Sequence, residues 1–141
     1  MKVVVLAAGK LRDAWVREGC AEYEKRIRRY LGFEILETKD SAGLAARVPE
    51  RFRLVALDER GREPSSAELA DRFAGWMGSG IAGVAFAIGD ADGLPAPLLA
   101  RADEKLALSR LTLPHRLARV VLLEQLYRAL SIIRGEPYHR A

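Results

Sequence analysis

Five short apolar segments recur along the chain, separated by stretches that suit a helix better than a hairpin turn. The segments are Val3–Ala8, Phe33–Thr38, Arg53–Asp58, Val84–Ile88 and Leu106–Leu108. Val3–Ala8 and Val84–Ile88 carry no polar residue at all. A strand that is apolar on both faces must be covered on both faces, which is the condition of a parallel sheet. Parallel neighbours need crossover connections, usually helical. The pattern therefore predicts an α/β fold, a mostly parallel sheet with helices on both faces.

The intervening segments carry helix signals. Asp13 stands at a capping position, and Trp15, Tyr23 and Ile27 recur on one face behind it, with Cys20 and Tyr30 nearby. Ser41–Val48 is read as a short helix before Pro49, and Glu59-Arg60-Gly61-Arg62 as a turn. Ser65 and Glu68 have capping-box spacing and open a helix with Leu69, Phe73 and Trp76 on its inner face. Gly78-Ser79-Gly80 ends it. A short helix is expected over Pro95–Asp103 and the longest over Arg116–Arg134, where Gly135 and Pro137 supply the stop. The 141 residues fit a single domain spanning 1–141, with no repeat or linker.

Composition narrows the function classes. Cys20 is the only cysteine, so no internal disulfide is possible and no thiolate metal cluster is expected. His115 and His139 are far apart, and Asp90 and Asp92 lack a supporting ligand set, so no metal is expected. The apolar start is too short for a secretory signal and reads better as a first strand. No segment spans a membrane. A cytoplasmic protein is expected. The net charge is +4, and its distribution matters more than its size. Residues 1–100 hold 15 basic and 15 acidic side chains, whereas residues 101–141 hold 8 and 4. A basic C-terminal segment can attract phosphate backbones or be an ordinary solvated face.

Ligands of open α/β sheets bind beyond the carboxyl ends of the strands. Two loops fall there. Gly89-Asp90-Ala91-Asp92-Gly93 allows close backbone approach, although it matches neither the dinucleotide fingerprint nor a P-loop. It reads equally as a plain tight turn. Leu108-Ser109-Arg110-Leu111-Thr112-Leu113-Pro114 can offer backbone groups to an adenine edge and leucines to its faces, or simply pack into the core.

The run Leu108–Ala129 (LSRLTLPHRLARVVLLEQLYRA) closely resembles the signature of the ribosomal RNA large subunit methyltransferase H family. The ending Pro137-Tyr138-His139-Arg140 is similar to that family's tail, and a weaker likeness runs through the first strand, Leu57-Asp58 and Gly89–Leu94. The resemblance implies a SPOUT-type C-terminal trefoil knot, a rare exception to ordinary chain connectivity. It implies a homodimer that uses S-adenosylmethionine to methylate N3 of a pseudouridine in helix 69 of 23S ribosomal RNA, on the assembled ribosome. Residue by residue, it implies cofactor contacts at Leu57, Gly89, Leu108, Ser109, Arg110, Leu111, Thr112 and Leu113. It implies catalytic roles for Tyr138, His139 and Arg140, in a tail reaching the partner's cofactor pocket and the RNA. His139 would remove a proton or position the base, and Arg140 would hold a phosphate or a developing charge. Arg110, Arg116 and Arg119 are candidate phosphate contacts, or else solvated or internally paired cations. Glu124 and Arg128 have the spacing of a simple helix pair.

Two departures from the family pattern stand out. Asp90 occupies the place of a second loop glycine. Its side chain can crowd the cofactor, or its charge can favour the sulfonium. The chain is also shortened around Ala45–Arg53, where the family often carries a longer helix. The alternatives are a noncatalytic RNA-binding or ribosome-associated protein of the same fold, a SPOUT methyltransferase with another RNA target, and a generic nucleotide-binding enzyme, against which the glycine spacing speaks.

Overall fold

A computed structural model describes residues 1–140. Five parallel strands form one sheet in the order β2-β1-β4-β3-β5. They are β1 (Lys2–Ala8), β2 (Gly32–Thr38), β3 (Phe52–Arg62), β4 (Gly83–Ile88) and β5 (Glu104–Leu106). The helices are α1 (Ala14–Ile27), α2 (Ser66–Gly78), α3 (Ala96–Arg101) and α4 (His115–Ile133). The two wholly apolar segments are adjacent at the centre of the sheet, and every residue of β4 is buried.

The sheet separates two cores. Val3, Val5 and Ala7 of β1 point to one face, where α1, α2 and α4 pack with Phe73, Leu122, Leu126 and Leu130. Val4, Leu6 and Ala8 point to the other, with Leu44, Leu54 and Leu98. This alternation is the two-residue period of a strand. At about 1.5–3 kcal/mol for each large side chain removed from water, these two layers dominate the favourable side of folding. α1 and α4 run parallel, with Gly19 against Val120 and Tyr23 against Tyr127.

Several local expectations need correction. Ser41–Val48 is not a helix but two single 3-10 turns, Ser41–Gly43 and Ala45–Arg47. A segment this short, with Gly43 inside and Pro49 behind, cannot repay helix nucleation. Glu59–Arg62 is not a simple turn between elements. β3 continues through Arg62, and both Leu57 and Arg62 pair with Leu106, so the residues between them form a bulge. Gly61 is required there, because a Cβ would lie 2.6 Å from the Lys105 carbonyl carbon. β5 sits two residues earlier than expected, and Leu108 follows it in a loop.

The face of α1 is also rotated from the expected one. Val16, Cys20 and Ile27 are buried, while Trp15 is 58% exposed. Asp13 precedes the helix without a side-chain capping bond, and its carboxylate accepts from Arg116 Nη1 at 2.6 Å. The capping box of α2 forms as expected: Ser65 Oγ accepts from Glu68 N, and Glu68 Oε1 accepts from Ser65 N. These bonds hold the Glu68 carboxyl below its ordinary range.

Candidate active site

The carboxyl ends of β4, β3 and β5 lie side by side because the strands pair in register. Ala56 pairs with Ala87, and Leu57 with Leu106. Paired strands are about 4.8 Å apart. Leu57, where β3 enters its bulge, Gly89 just after β4 and the loop from Leu108 to Leu113 after β5 therefore lie on three neighbouring strands.

The Gly89–Gly93 loop is a closed turn. Gly93 N donates to Asp90 O at 2.9 Å, and Gly93 has φ +82°. Asp92 N donates to Asp90 Oδ1 at 3.0 Å. Ser41 Oγ donates to Gly93 O at 2.9 Å, which fastens the loop to the first 3-10 turn. Gly89 admits no side chain, since a Cβ would meet the Gly93 carbonyl carbon at 2.5 Å. Asp90 does not have positive φ, so the residue standing for the family's second glycine bears no backbone strain. Its carboxylate is occupied by the turn.

The second loop presents its side chains outward. Leu108, Ser109 and Leu113 are half-buried, Arg110 and Thr112 are exposed, and Leu111 is 76% exposed. Leu111 N donates to Ser109 Oγ at 2.9 Å, which shapes the turn. Ala107 N donates to Arg62 O at 2.8 Å, so the chain leaving β5 runs beside the β3 bulge. An apolar loop one strand away from a tight, glycine-bounded turn suits a flat, partly apolar ligand bearing an adenine.

The tail is organised by α4. Glu124 and Arg128 pair as their spacing predicts, with Arg128 Nη2 donating to Glu124 Oε2 at 2.8 Å. The pair also anchors the C-terminus. Tyr138 OH donates to the same Glu124 oxygen at 2.6 Å, and Arg128 Nη1 lies 3.0 Å from His139 Nδ1. The Tyr138 ring packs on Tyr127 with centroids 4.6 Å apart and carries the Arg128 guanidinium over its face. Burial works to raise the Glu124 pKa, and the hydrogen bonds from Arg128 and Tyr138 outweigh it, holding the carboxyl below its ordinary value. Burial and the Glu124 contact push the Tyr138 phenol up. A guanidinium only donates, so His139 Nδ1 accepts and the ring hydrogen sits on Nε2. Arg140 is exposed.

The structure thus brings Leu57, Gly89 and Leu108–Leu113 together but leaves Tyr138, His139 and Arg140 apart from them. The tail is anchored at Glu124, nine residues into α4, which is about 13 Å along its axis from the end of the second loop.

Of the two readings of Arg119, phosphate contact is corrected and internal pairing holds. Arg119 is 3% exposed, pairs through Nη1 with Glu37, and donates through Nη2 to Gly9 O at 2.9 Å. Arg116 pairs with Asp13. Both arginines fasten α4 to the β1–α1 connection. Arg110 remains exposed on its loop. Among the described residues, no group of three or more His, Cys, Asp or Glu side chains could hold a metal ion, and no helix is long and apolar enough to cross a membrane. Cys20 is buried, and burial raises its pKa.

Residues 1–139 match a family model described as predicted SPOUT methyltransferase. The ribosomal RNA large subunit methyltransferase H of an Anaeromyxobacter strain is 48% identical over 154 aligned positions, covering 99% of this chain and all of the relative. The chain belongs to the ribosomal RNA large subunit methyltransferase H family. The family member from Geobacter metallireducens is 45% identical over the full length of both chains, and that from Laribacter hongkongensis 44% over 99% of each. A probable methylase family protein from Haemophilus influenzae shares the fold, with a TM-score of 0.56 at 12% identity over 99% of this chain and 70% of its own. A putative methyltransferase from Legionella pneumophila, solved with bound cofactor SAM, gives a TM-score of 0.51 at 10% identity. That match covers 89% of this chain and 65% of the other. Both structural likenesses concern the fold. Membership makes the chain a methyltransferase.

Proposed function

We propose that the chain is an S-adenosylmethionine-dependent methyltransferase of 23S ribosomal RNA that modifies N3 of a pseudouridine in helix 69 on the assembled ribosome. The observation that carries this reading is the full-length match to methyltransferase H relatives, joined to the clustering of Leu57, Gly89 and Leu108–Leu113 at three adjacent strands. The chain works as one domain, 1–141, in the cytoplasm, with its C-terminal segment threaded as a trefoil knot.

S-adenosylmethionine supplies an electrophilic methyl group on positively charged sulfur. Leu57, Leu108, Leu111 and Leu113 would border its adenosyl part, with Ser109, Arg110 and Thr112 on the same loop. Gly89 lets its turn close tightly on Gly93, where a side chain would have no room. Tyr138 positions the tail through Glu124. His139, with its hydrogen on Nε2, donates towards a base carbonyl, so it orients the base and does not act as its proton acceptor in this arrangement. Arg140 is free to hold a phosphate.

The separation of tail and loops within one chain calls for a homodimer. The tail of one protomer would complete the loops of its partner. The exposed Trp15, Leu111 and Leu117 near the start of α1 and α4 suit such an interface.

The direct test is methyl transfer from labelled S-adenosylmethionine to ribosomes lacking this methyl group, with the product nucleoside mapped by mass spectrometry. N3-methylpseudouridine in helix 69 is expected. Sound cofactor binding with no transfer to intact ribosomes would reject the reading and leave a noncatalytic ribosome-binding protein.

A further inference from the structure

A second charged feature lies outside the loops and the tail. Where β5 borders the β3 bulge, Arg53, Arg60, Arg62, Arg72 and Lys105 line one recess with only two carboxylates, Asp103 and Glu104. Both carboxylates are already engaged. Asp103 Oδ2 accepts from Leu54 N at 2.8 Å. Glu104 accepts from Arg53 Nε at 2.9 Å and pairs with Arg72. Among the described residues, Arg60, Arg62 and Lys105 have no side-chain partner of opposite charge. Three unpaired cations are thus gathered around one recess by backbone alone.

The gathering is built into the fold. The bulge is clamped at both ends by pairing with Leu106, and Gly61 lies against the Lys105–Leu106 backbone too closely for any side chain. Holding like charges together costs electrostatic energy, which an anion bound among them offsets. The recess is tied to the loop cluster through the backbone: the same bulge begins at Leu57 and ends at Arg62, whose carbonyl accepts from Ala107. An anion held here lies beside the loops that follow Leu57 and Leu106.

We infer that Arg60, Arg62 and Lys105 form the surface that grips the RNA backbone next to the target nucleotide. The inference rests on the reading of the chain as a ribosomal RNA methyltransferase. It moves the main phosphate contacts from α4 to the β3–β5 edge of the sheet, where Lys105 alone comes from the basic C-terminal segment. Arg119 is buried and Arg116 is paired with Asp13, so the charge excess of the last third overstates its capacity to meet RNA. The three cations would meet backbone phosphates and carry no base readout, so base recognition stays with the tail.

The test compares the full-length protein with the Arg60→Gln/Arg62→Gln/Lys105→Gln variant. A control variant, Arg17→Gln/Lys25→Gln/Arg29→Gln, removes the same charge from exposed positions on or just after α1. Binding to a 23S ribosomal RNA fragment containing helix 69 is measured against salt, and methyl transfer is measured with ribosomes. For the β3–β5 variant, the slope of log affinity against log salt should fall by about one unit per residue removed. KM for ribosomes should rise about tenfold or more with kcat little changed, as for lost uniform binding. The α1 control should change neither. Equal salt slopes and KM values for the β3–β5 variant and wild type would overturn the inference while leaving the proposed activity intact. If wild type transfers no methyl group yet loses fragment binding on the triple substitution, the activity reading fails and the RNA surface stands. Should the triple variant melt lower than wild type, Arg60→Gln and Lys105→Gln singly carry the same test, each worth about one slope unit.

Discussion

Gly89 and Glu124 show how single residues set the two halves of the proposed site. At Gly89 the constraint is space: a Cβ would meet the Gly93 carbonyl carbon at 2.5 Å, so the turn must open to accept one. Gly89→Ala is expected to weaken S-adenosylmethionine binding by about tenfold or more, equivalent to about 1.4 kcal/mol, measured by titration calorimetry. An unchanged Kd would place the cofactor away from this turn. At Glu124 the constraint is charge, since one carboxylate holds both Arg128 and Tyr138. Its folded pKa lies below the ordinary 4.5. The stability it contributes is therefore complete above that value and is lost as pH falls through the lower folded pKa. The melting-temperature gap between wild type and Glu124→Gln should be constant from about pH 8 to 6 and close below about pH 4. A gap independent of pH would show that the carboxylate charge is not what holds the tail.

At the scale of elements, α4 is fastened to the start of α1 by two arginines one turn apart. Arg119 is buried and satisfies both Glu37 and the Gly9 carbonyl, while Glu37 also accepts from Leu11 N at 3.2 Å. Arg119→Met removes one partner of this pair and leaves the other groups without their donor. Because Glu37 keeps partial solvent access, the expected loss is about 2–3 kcal/mol, below the full cost of breaking a wholly buried pair. Denaturant unfolding measures it. Glu37→Gln in the Arg119→Met background should cost less than in wild type, and strict additivity would mean that the two side chains do not act together. The mixed signals of the sequence are explained at this scale too. The Glu59–Arg62 segment has turn composition, yet pairing with β5 draws it into β3. The Trp15 position satisfies a helical period, yet the packing of α4 against α1 buries Val16 and Cys20 instead.

At the scale of the whole molecule, the proposed site would be completed by the tail of a second protomer. The strand-end loops sit at the start of α4, and the tail is held halfway along it. Mixing Gly89→Ala protomers with His139→Ala protomers, assayed at S-adenosylmethionine well below the Kd of the Gly89→Ala variant, creates heterodimers with one intact site. With random exchange of subunits, activity should recover to about a quarter of wild type. Absence of recovery, with exchange verified by mass spectrometry, would show that each chain uses its own tail.

Much of this protein was legible before any tertiary contact was known. The run of valines and alanines in β1 and β4 dictates strands buried on both faces, and such strands dictate a parallel sheet with helices on either side. The capping box at Ser65 and Glu68 and the glycine stop after α4 are local chemistry, readable because both partners lie within a few residues. The strand-end loops were legible for the same reason, and the Leu108–Ala129 run identified their family. Contacts between distant positions were not. Nothing near Arg119 in the chain distinguishes a buried clamp from a phosphate ligand, because its partners Gly9 and Glu37 are more than eighty residues away. Glu124 and Arg128 are recognisable as a helix pair, but their hold on Tyr138 and His139 depends on how the chain turns after Gly135. The cations at Arg60, Arg62 and Lys105 are scattered in sequence and carry no motif. Only the pairing of β5 beside the bulged β3 gathers them, since strand order is set by the packing of the whole sheet and not by any segment of it.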